Sequence, residues 1–163
     1  MTISGGNPAL HELGPVVEGV HQAGLRVGVE TQGSRWRGWL KKVDRLTISP
    51  KPPSSGMARP KNEAQFERFM DQALLAADQH AVLKIVCFDD TDLAWAAQIA
   101  ERYRDLPLYL SAGTPIPAPQ HLRDAVGDTY RWLCERAVDT PEFARARVLP
   151  QLHVIAWKDA TGV

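Results

Sequence analysis

Three features of this sequence have the residue types for small-molecule chemistry: the pair Gly5-Gly6, the carboxylate of Glu30 and the ammonium of Lys51. Glycine has no Cβ, so Gly5 and Gly6 can lay bare backbone amides against a ligand, and Pro8 then opens the next helix at low cost. Such amides suit a carboxylate, a phosphate or the backbone edge of an amino acid. Glu30 closes an apolar run, a place suited to holding a ribose hydroxyl or an ammonium group. Lys51 is locked between Pro50 and Pro52, which restricts where its ammonium points. His153 is flanked by Leu152, Val154 and Ile155 and is predicted within a strand, where an imidazole needs a partner. The last three have ordinary structural readings, respectively a solvated or ion-paired glutamate, a surface lysine and a satisfied core histidine. Their conjunction carries the functional one. G-x-G-x-x-G, G-x-x-x-x-G-K-[ST] and G-x-S-x-G are all absent, which counts against Rossmann cofactors, P-loop nucleotides and α/β-hydrolase chemistry. His11, His21, His80, His121 and His153 show no metal-ligand spacing with one another or with cysteine.

The elements that would position these groups follow from hydrophobic period. Apolar runs or alternation of strand length occupy residues 2–4, 25–31, 46–49, 82–88, 108–111 and 149–157. Helical stripes occupy 10–23, 63–78, 92–104 and 119–136, the third behind Thr91 as N-cap, and a short helix follows Thr140-Pro141. In 10–23 the stripe is Leu10, Leu13, Val16, Val17 and Val20. In 63–78 it is Phe66, Phe69, Met70, Ala73, Leu74 and Ala77. Trp36 and Trp39 are read as the inward side of a helix. The segment 49–60, rich in proline and serine, is predicted to be a long semi-rigid loop. Strands alternating with helices specify an α/β fold with parallel pairing. Most of the strands run into small or polar residues at the C-terminal end, the edge where parallel sheets and barrels bind ligands.

Composition bounds the rest. The chain has 163 residues, 44% of them hydrophobic, which suits a single domain over 1–163 with a continuous core. Nineteen basic against nineteen acidic residues supply no general attraction for nucleic acid or anionic lipid, so neither is an expected partner. No apolar run approaches the length of a spanning helix, and a cytoplasmic protein is expected. Cys87 and Cys134 form no C-x-x-C pair and are expected to be buried thiols.

Three segments taken together, Ser4-Gly5-Gly6-Asn7-Pro8, Val29-Glu30-Thr31-Gln32-Gly33 and Ile48-Ser49-Pro50-Lys51-Pro52-Pro53, resemble in order and spacing successive strands of the 7-carboxy-7-deazaguanine synthase family of radical S-adenosylmethionine enzymes. The tail at 149–157 looks like the family's last strand. The resemblance implies a partial parallel β/α barrel and a carbon–nitrogen lyase. That lyase converts 6-carboxy-5,6,7,8-tetrahydropterin to 7-carboxy-7-deazaguanine with loss of ammonia, using S-adenosylmethionine, a [4Fe-4S] cluster and Mg²⁺. By resemblance Gly5, Gly6, Glu30, Ser49, Pro50 and Lys51 bind the cofactor, and Ser4, Gln151 and His153 approach the pterin. Asn7 stands where most members have Glu. The family holds its cluster with three cysteines in a loop after its first strand, and this sequence has two cysteines elsewhere. No catalytic residue or metal ligand is therefore assigned. The expectation is a barrel truncated at its N-terminal strand, completed by a further N-terminal segment or a second copy, or else a non-catalytic binding module.

Overall fold

The computed structural model describes residues 1–57, 60–76, 80–114 and 122–157. Six strands, β1 (Thr2–Ile3), β2 (Gly28–Thr31), β3 (Arg45–Ile48), β4 (His80–Cys87), β5 (Leu108–Ala112) and β6 (Arg147–Leu149), form one all-parallel sheet in the order β1-β2-β3-β4-β5-β6. Strand order that follows chain order means that the winding never reverses, unlike the doubly wound Rossmann sheet. This is the α/β arrangement of a partial β/α barrel. The helices are α1 (Gly14–Gln22), α2 (Pro60–Leu75), α3 (Asp90–Arg102), α4 (Leu122–Val138) and α5 (Leu152–Trp157). None of the described helices is long and apolar enough to cross a membrane.

The chain divides into two compact units, one of Met1–Lys51 with Met57–Lys84 and one of Pro52–Gly56 with Ile85–Val163. In the first, Ile3 pairs with Val29, Val29 with Leu46, Thr31 with Ile48 and Ile48 with Leu83. Because side chains alternate across a strand, Val29, Thr31, Leu46, Ile48 and Leu83 share one face, and all are buried. Phe66, Phe69, Met70 and Ala73 of α2 are buried as their stripe predicts, whereas Leu74 is exposed. A Cβ on Gly33, whose φ is +75°, would meet the ring of Phe66 at 3.0 Å and Ile48 at 3.2 Å. Glycine is required there twice over, for the dihedral and for the space.

In the second unit Tyr109 pairs with Arg147 and Ser111 with Leu149, and the Arg147 guanidinium lies 5.4 Å from the Tyr109 ring centre. Val126 of α4 and Val154 of α5 form a small buried cluster.

Several expectations need correction. The strand predicted at 149–157 ends at Leu149, and Leu152–Trp157 is helix. Pro150 has no N–H for the ladder, and only Val154 of the six helical residues is buried, so the apolar pattern had no sheet to enter. The helix predicted at 10–23 is broken: a 3-10 turn covers Pro8–Leu10 and α1 starts at Gly14 with Pro15 in its first turn. Of its predicted stripe Val17 is buried, while Leu10 and Val16 are exposed. The N-cap of α3 is Asp89, whose carboxylate accepts the Asp92 N–H at 2.9 Å, not Thr91. Trp39 is buried in the 3-10 turn Gly38–Lys42, and Trp36 meets Phe69 edge-on, so neither lies in an α-helix. The loop predicted at 49–60 contains a 3-10 turn at Pro53–Ser55 and gives way to α2 at Pro60. Ala58, Arg59, Ala77, Asp78 and the predicted helix start from Pro119 to His121 lie outside the described residues.

Candidate functional site

Parallel pairing brings the C-terminal ends of β1, β2 and β3 to one edge. Ser4 follows Ile3 as Glu30 follows its partner Val29, so these two are level with each other. Ser49 donates its N–H to the Thr31 carbonyl at 2.7 Å, which carries β3 one residue past its partner strand. Beyond it Pro50 is buried and Lys51 exposed. The first unit thus gathers Ser4, Gly5, Gly6, Glu30, Ser49, Pro50 and Lys51 at a single rim.

Gly5 and Gly6 are exposed and take φ of +87° and +54°. A Cβ built on either meets nothing within 4 Å, so unlike Gly33 these glycines border open space. The rim is held from beneath by Asn7. Its amide oxygen accepts the Thr31 hydroxyl at 2.7 Å and its amide nitrogen donates to the Ser34 hydroxyl at 3.0 Å, with the side chain 7% exposed. Both ends of the amide are engaged inside the protein. Asn7 therefore fixes the Gly5-Gly6 turn to β2 and to the segment after it.

The face of the sheet opposite the buried one is different. Gly28, Glu30, Thr47 and Lys84 alternate with core residues and are all half-buried. Parallel strands are usually apolar on both sides, because helices or a packed barrel interior cover both. Here a carboxylate and an ammonium occupy one side. Lys84 Nζ stands 3.2 Å from each oxygen of Glu30, reaching past β3, where Thr47 is the register partner of Glu30. Each side chain of the pair is 32% exposed. Lys84 was not singled out from sequence. The available signal was one cation inside Ala81-Val82-Leu83-Lys84-Ile85-Val86-Cys87, which strand period places on the face of Val82 and Val86.

In the second unit Gln151 follows β6 and accepts a short hydrogen bond from the hydroxyl of Thr114, which follows β5. The two mark the C-terminal ends of a paired set of strands. His153 is exposed on α5 and is not the strand histidine that its neighbours suggest.

Neither thiol suits an iron–sulfur cluster. Cys87 is fully buried, and desolvation, reinforced by the negative charges of Asp92 and Asp89, pushes its pKa up to about 12. Cluster ligands must be thiolates. Cys134 lies on α4, and among the described residues no three of His, Cys, Asp and Glu converge to hold a metal. The described residues do not fit a [4Fe-4S] cluster or Mg²⁺.

No family model matches the chain. Curated relatives do. It is 40% identical over 167 residues to the 7-carboxy-7-deazaguanine synthase of Bacillus cereus, covering 100% of this chain and 68% of that protein. The protein of the same name from Bacillus subtilis is 38% identical over 168 residues, with the same two coverages. That from Thermoplasma acidophilum is 29% identical over 163 residues, covering 98% of this chain and 68% of its own length. Identity of this level and extent, carried on a singly wound parallel sheet, makes the chain a member of the 7-carboxy-7-deazaguanine synthase family.

Proposed function

We propose that this chain is the nucleoside- and pterin-binding part of a 7-carboxy-7-deazaguanine synthase. The reaction is that of a carbon–nitrogen lyase: 6-carboxy-5,6,7,8-tetrahydropterin gives 7-carboxy-7-deazaguanine and ammonia, in the cytoplasm, on the way to queuosine and other 7-deazapurines. The names of the relatives support the activity. The observation that carries the binding role is the half-buried polar strand face with Glu30 and Lys84, opening beside the unobstructed Gly5-Gly6 turn.

S-adenosylmethionine, when bound, supplies the radical that starts the ring contraction. The Gly5 and Gly6 amides receive its methionine end, Glu30 holds the ribose hydroxyls, and Ser49, Pro50 and Lys51 border the adenosine. Ser4 contacts the pterin at the rim of the first unit, and Gln151 is the substrate-contacting residue that the resemblance gives the second. His153, displaced onto a helix, has the weakest claim to a substrate contact.

Two cysteines cannot give the three thiolates that a site-differentiated cluster needs. Activity accordingly requires a thiolate-bearing segment beyond the residues of this sequence, whether covalently continuous or a separate chain. Anaerobic incubation of the 163-residue chain with iron and sulfide is expected to give no [4Fe-4S] absorption, while calorimetry still detects S-adenosylmethionine binding. A stoichiometric cluster on this chain would contradict the assignment of the cluster to another segment. The same cysteine count favours, as a second reading, a binding module without catalysis. Failure of every added three-cysteine segment to restore turnover would select it.

A further inference from the structure

The proposed reading gives Glu30 a ligand but leaves Lys84 without a task. A lysine in the middle of a strand is out of place: Leu83 and Ile85 on either side of it are fully buried, and Val82 and Val86 flank it on its own face. Stability does not explain it. An ion pair whose side chains are about a third exposed adds little to stability, and lysine loses rotamer entropy when held. What the lysine does achieve is geometric. Its Nζ is equidistant, at 3.2 Å, from the two Glu30 oxygens, and it reaches them from β4 across the intervening Thr47 of β3. The contact draws the glutamate head toward β4 and so restrains the torsions of the Glu30 stem. Each oxygen has lone pairs to spare, and the pair remains partly open to solvent.

We propose that Lys84 is the positioning residue for Glu30, holding the carboxylate in one place on the open face so that the lone pairs it leaves free accept the hydroxyls of a ribose diol. The inference rests on the reading of Glu30 as the ribose-binding group. It assigns ribose-against-deoxyribose discrimination to a pair of side chains rather than to the glutamate alone. A diol needs both acceptors at a set spacing and angle. Without the lysine the glutamate head samples several positions, and the gain from the second hydroxyl is lost.

The test uses the full chain and two probes, 5′-methylthioadenosine and its 2′-deoxy counterpart, titrated calorimetrically. A hydrogen bond to a charged group that is present for one probe and missing for the other corresponds to roughly tenfold or more in dissociation constant. The wild type is expected to prefer the ribonucleoside by about that factor. Lys84→Met is expected to bring the ratio to about one while the 2′-deoxy compound binds as before, a pattern that general loosening of the fold does not produce. Lys84→Arg, which keeps a cation able to engage both oxygens, is expected to retain most of the preference. Lys84→Gln stands in if the methionine variant does not fold. A preference undiminished in both neutral variants, but lost in Glu30→Gln, overturns the role of Lys84. A preference that survives Glu30→Gln, or is missing from the wild type, instead removes the underlying reading of Glu30.

Discussion

Glu30 in the first compact unit and Asp92 in the second are both carboxylates tied to the sheet, yet they are solved in opposite ways. Asp92 is fully buried on α3 and is saturated by neutral donors: the Ser54 N–H at 3.0 Å, the Ser54 hydroxyl at 2.6 Å and the Phe88 N–H at 3.0 Å. Those bonds fasten the turn at Pro53–Ser55 and the end of β4 to the start of α3, and they leave no room for a guest. Glu30 has one lysine for company and about a third of its side chain in solvent. Comparing the two separates a carboxylate that builds structure from one that waits for a ligand. Saturation by backbone and short side chains marks the first, and a single lysine partner on an open face marks the second.

The largest effect expected from breaking this contrast is at Asp92. Asp92→Ala removes three charge-assisted hydrogen bonds, and at roughly 1.5–3 kcal/mol each the variant should lose about 3 kcal/mol or more in urea unfolding. A loss below about 1 kcal/mol would show that water replaces the carboxylate, and the distinction from Glu30 would weaken.

The glycines offer a second, smaller contrast. A Cβ on Gly113 would fall 2.5 Å from the Phe88 ring, so Gly113→Ala overpacks the second unit and should cost about 1–3 kcal/mol. Gly6→Ala meets no neighbour, and its price is the left-handed dihedral alone, about 1 kcal/mol. Its main consequence should be weakened S-adenosylmethionine binding. Thermal melts and titrations of the two variants check whether damage sorts this way, to stability in one and to binding in the other.

Much of this was legible in advance, and what was not has identifiable causes. β2 and β3 show in the sequence because their buried residues recur with period two, β4 because it is a short apolar run, and Phe66, Phe69, Met70 and Ala73 declare α2 through period 3.6. The rim glycines and Glu30 could be found because they stand where those runs stop. Leu152–Trp157 misled because six mostly apolar residues satisfy both periods, and only the location of Val154 against Val126 decides between them. Lys84 was hidden for another reason. Its meaning lies in a partner 54 residues away, and no local pattern records that distance. Asn7 likewise reads as a substituted ligand until Thr31 and Ser34 are seen to consume its amide.

Thiol chemistry sharpens the picture of the second unit as closed. With its pKa raised to about 12 by burial and by two nearby aspartates, Cys87 should resist a disulfide reagent at pH 8 in the native protein. Half-buried Cys134 should react first, and both should react in denaturant. Native labelling of Cys87 at the rate of Cys134 would mean that this unit opens readily.

The smallest effect is electrostatic. Asp44 accepts the Val27 N–H at 2.7 Å and pairs with His21 at 2.9 Å, and these hold its pKa below the ordinary value, the backbone hydrogen bond foremost. A depressed carboxylate pKa stabilises the folded state above the unfolded value of about 3.9, and that stability drains away as pH falls through the lower folded value. Below about pH 4 the wild type should therefore lose stability more steeply than Asp44→Asn. Parallel acid-unfolding curves would remove Asp44 from the account.

The central claim is that the open strand face and the glycine turn of the first unit receive the nucleoside cofactor. Amide hydrogen exchange of the full chain with and without S-adenosylmethionine tests it most directly. Slowed exchange concentrated at Gly5, Gly6 and the C-terminal ends of β2 and β3 is the predicted footprint. Slowing confined to the second unit, or none at saturating ligand, would contradict it.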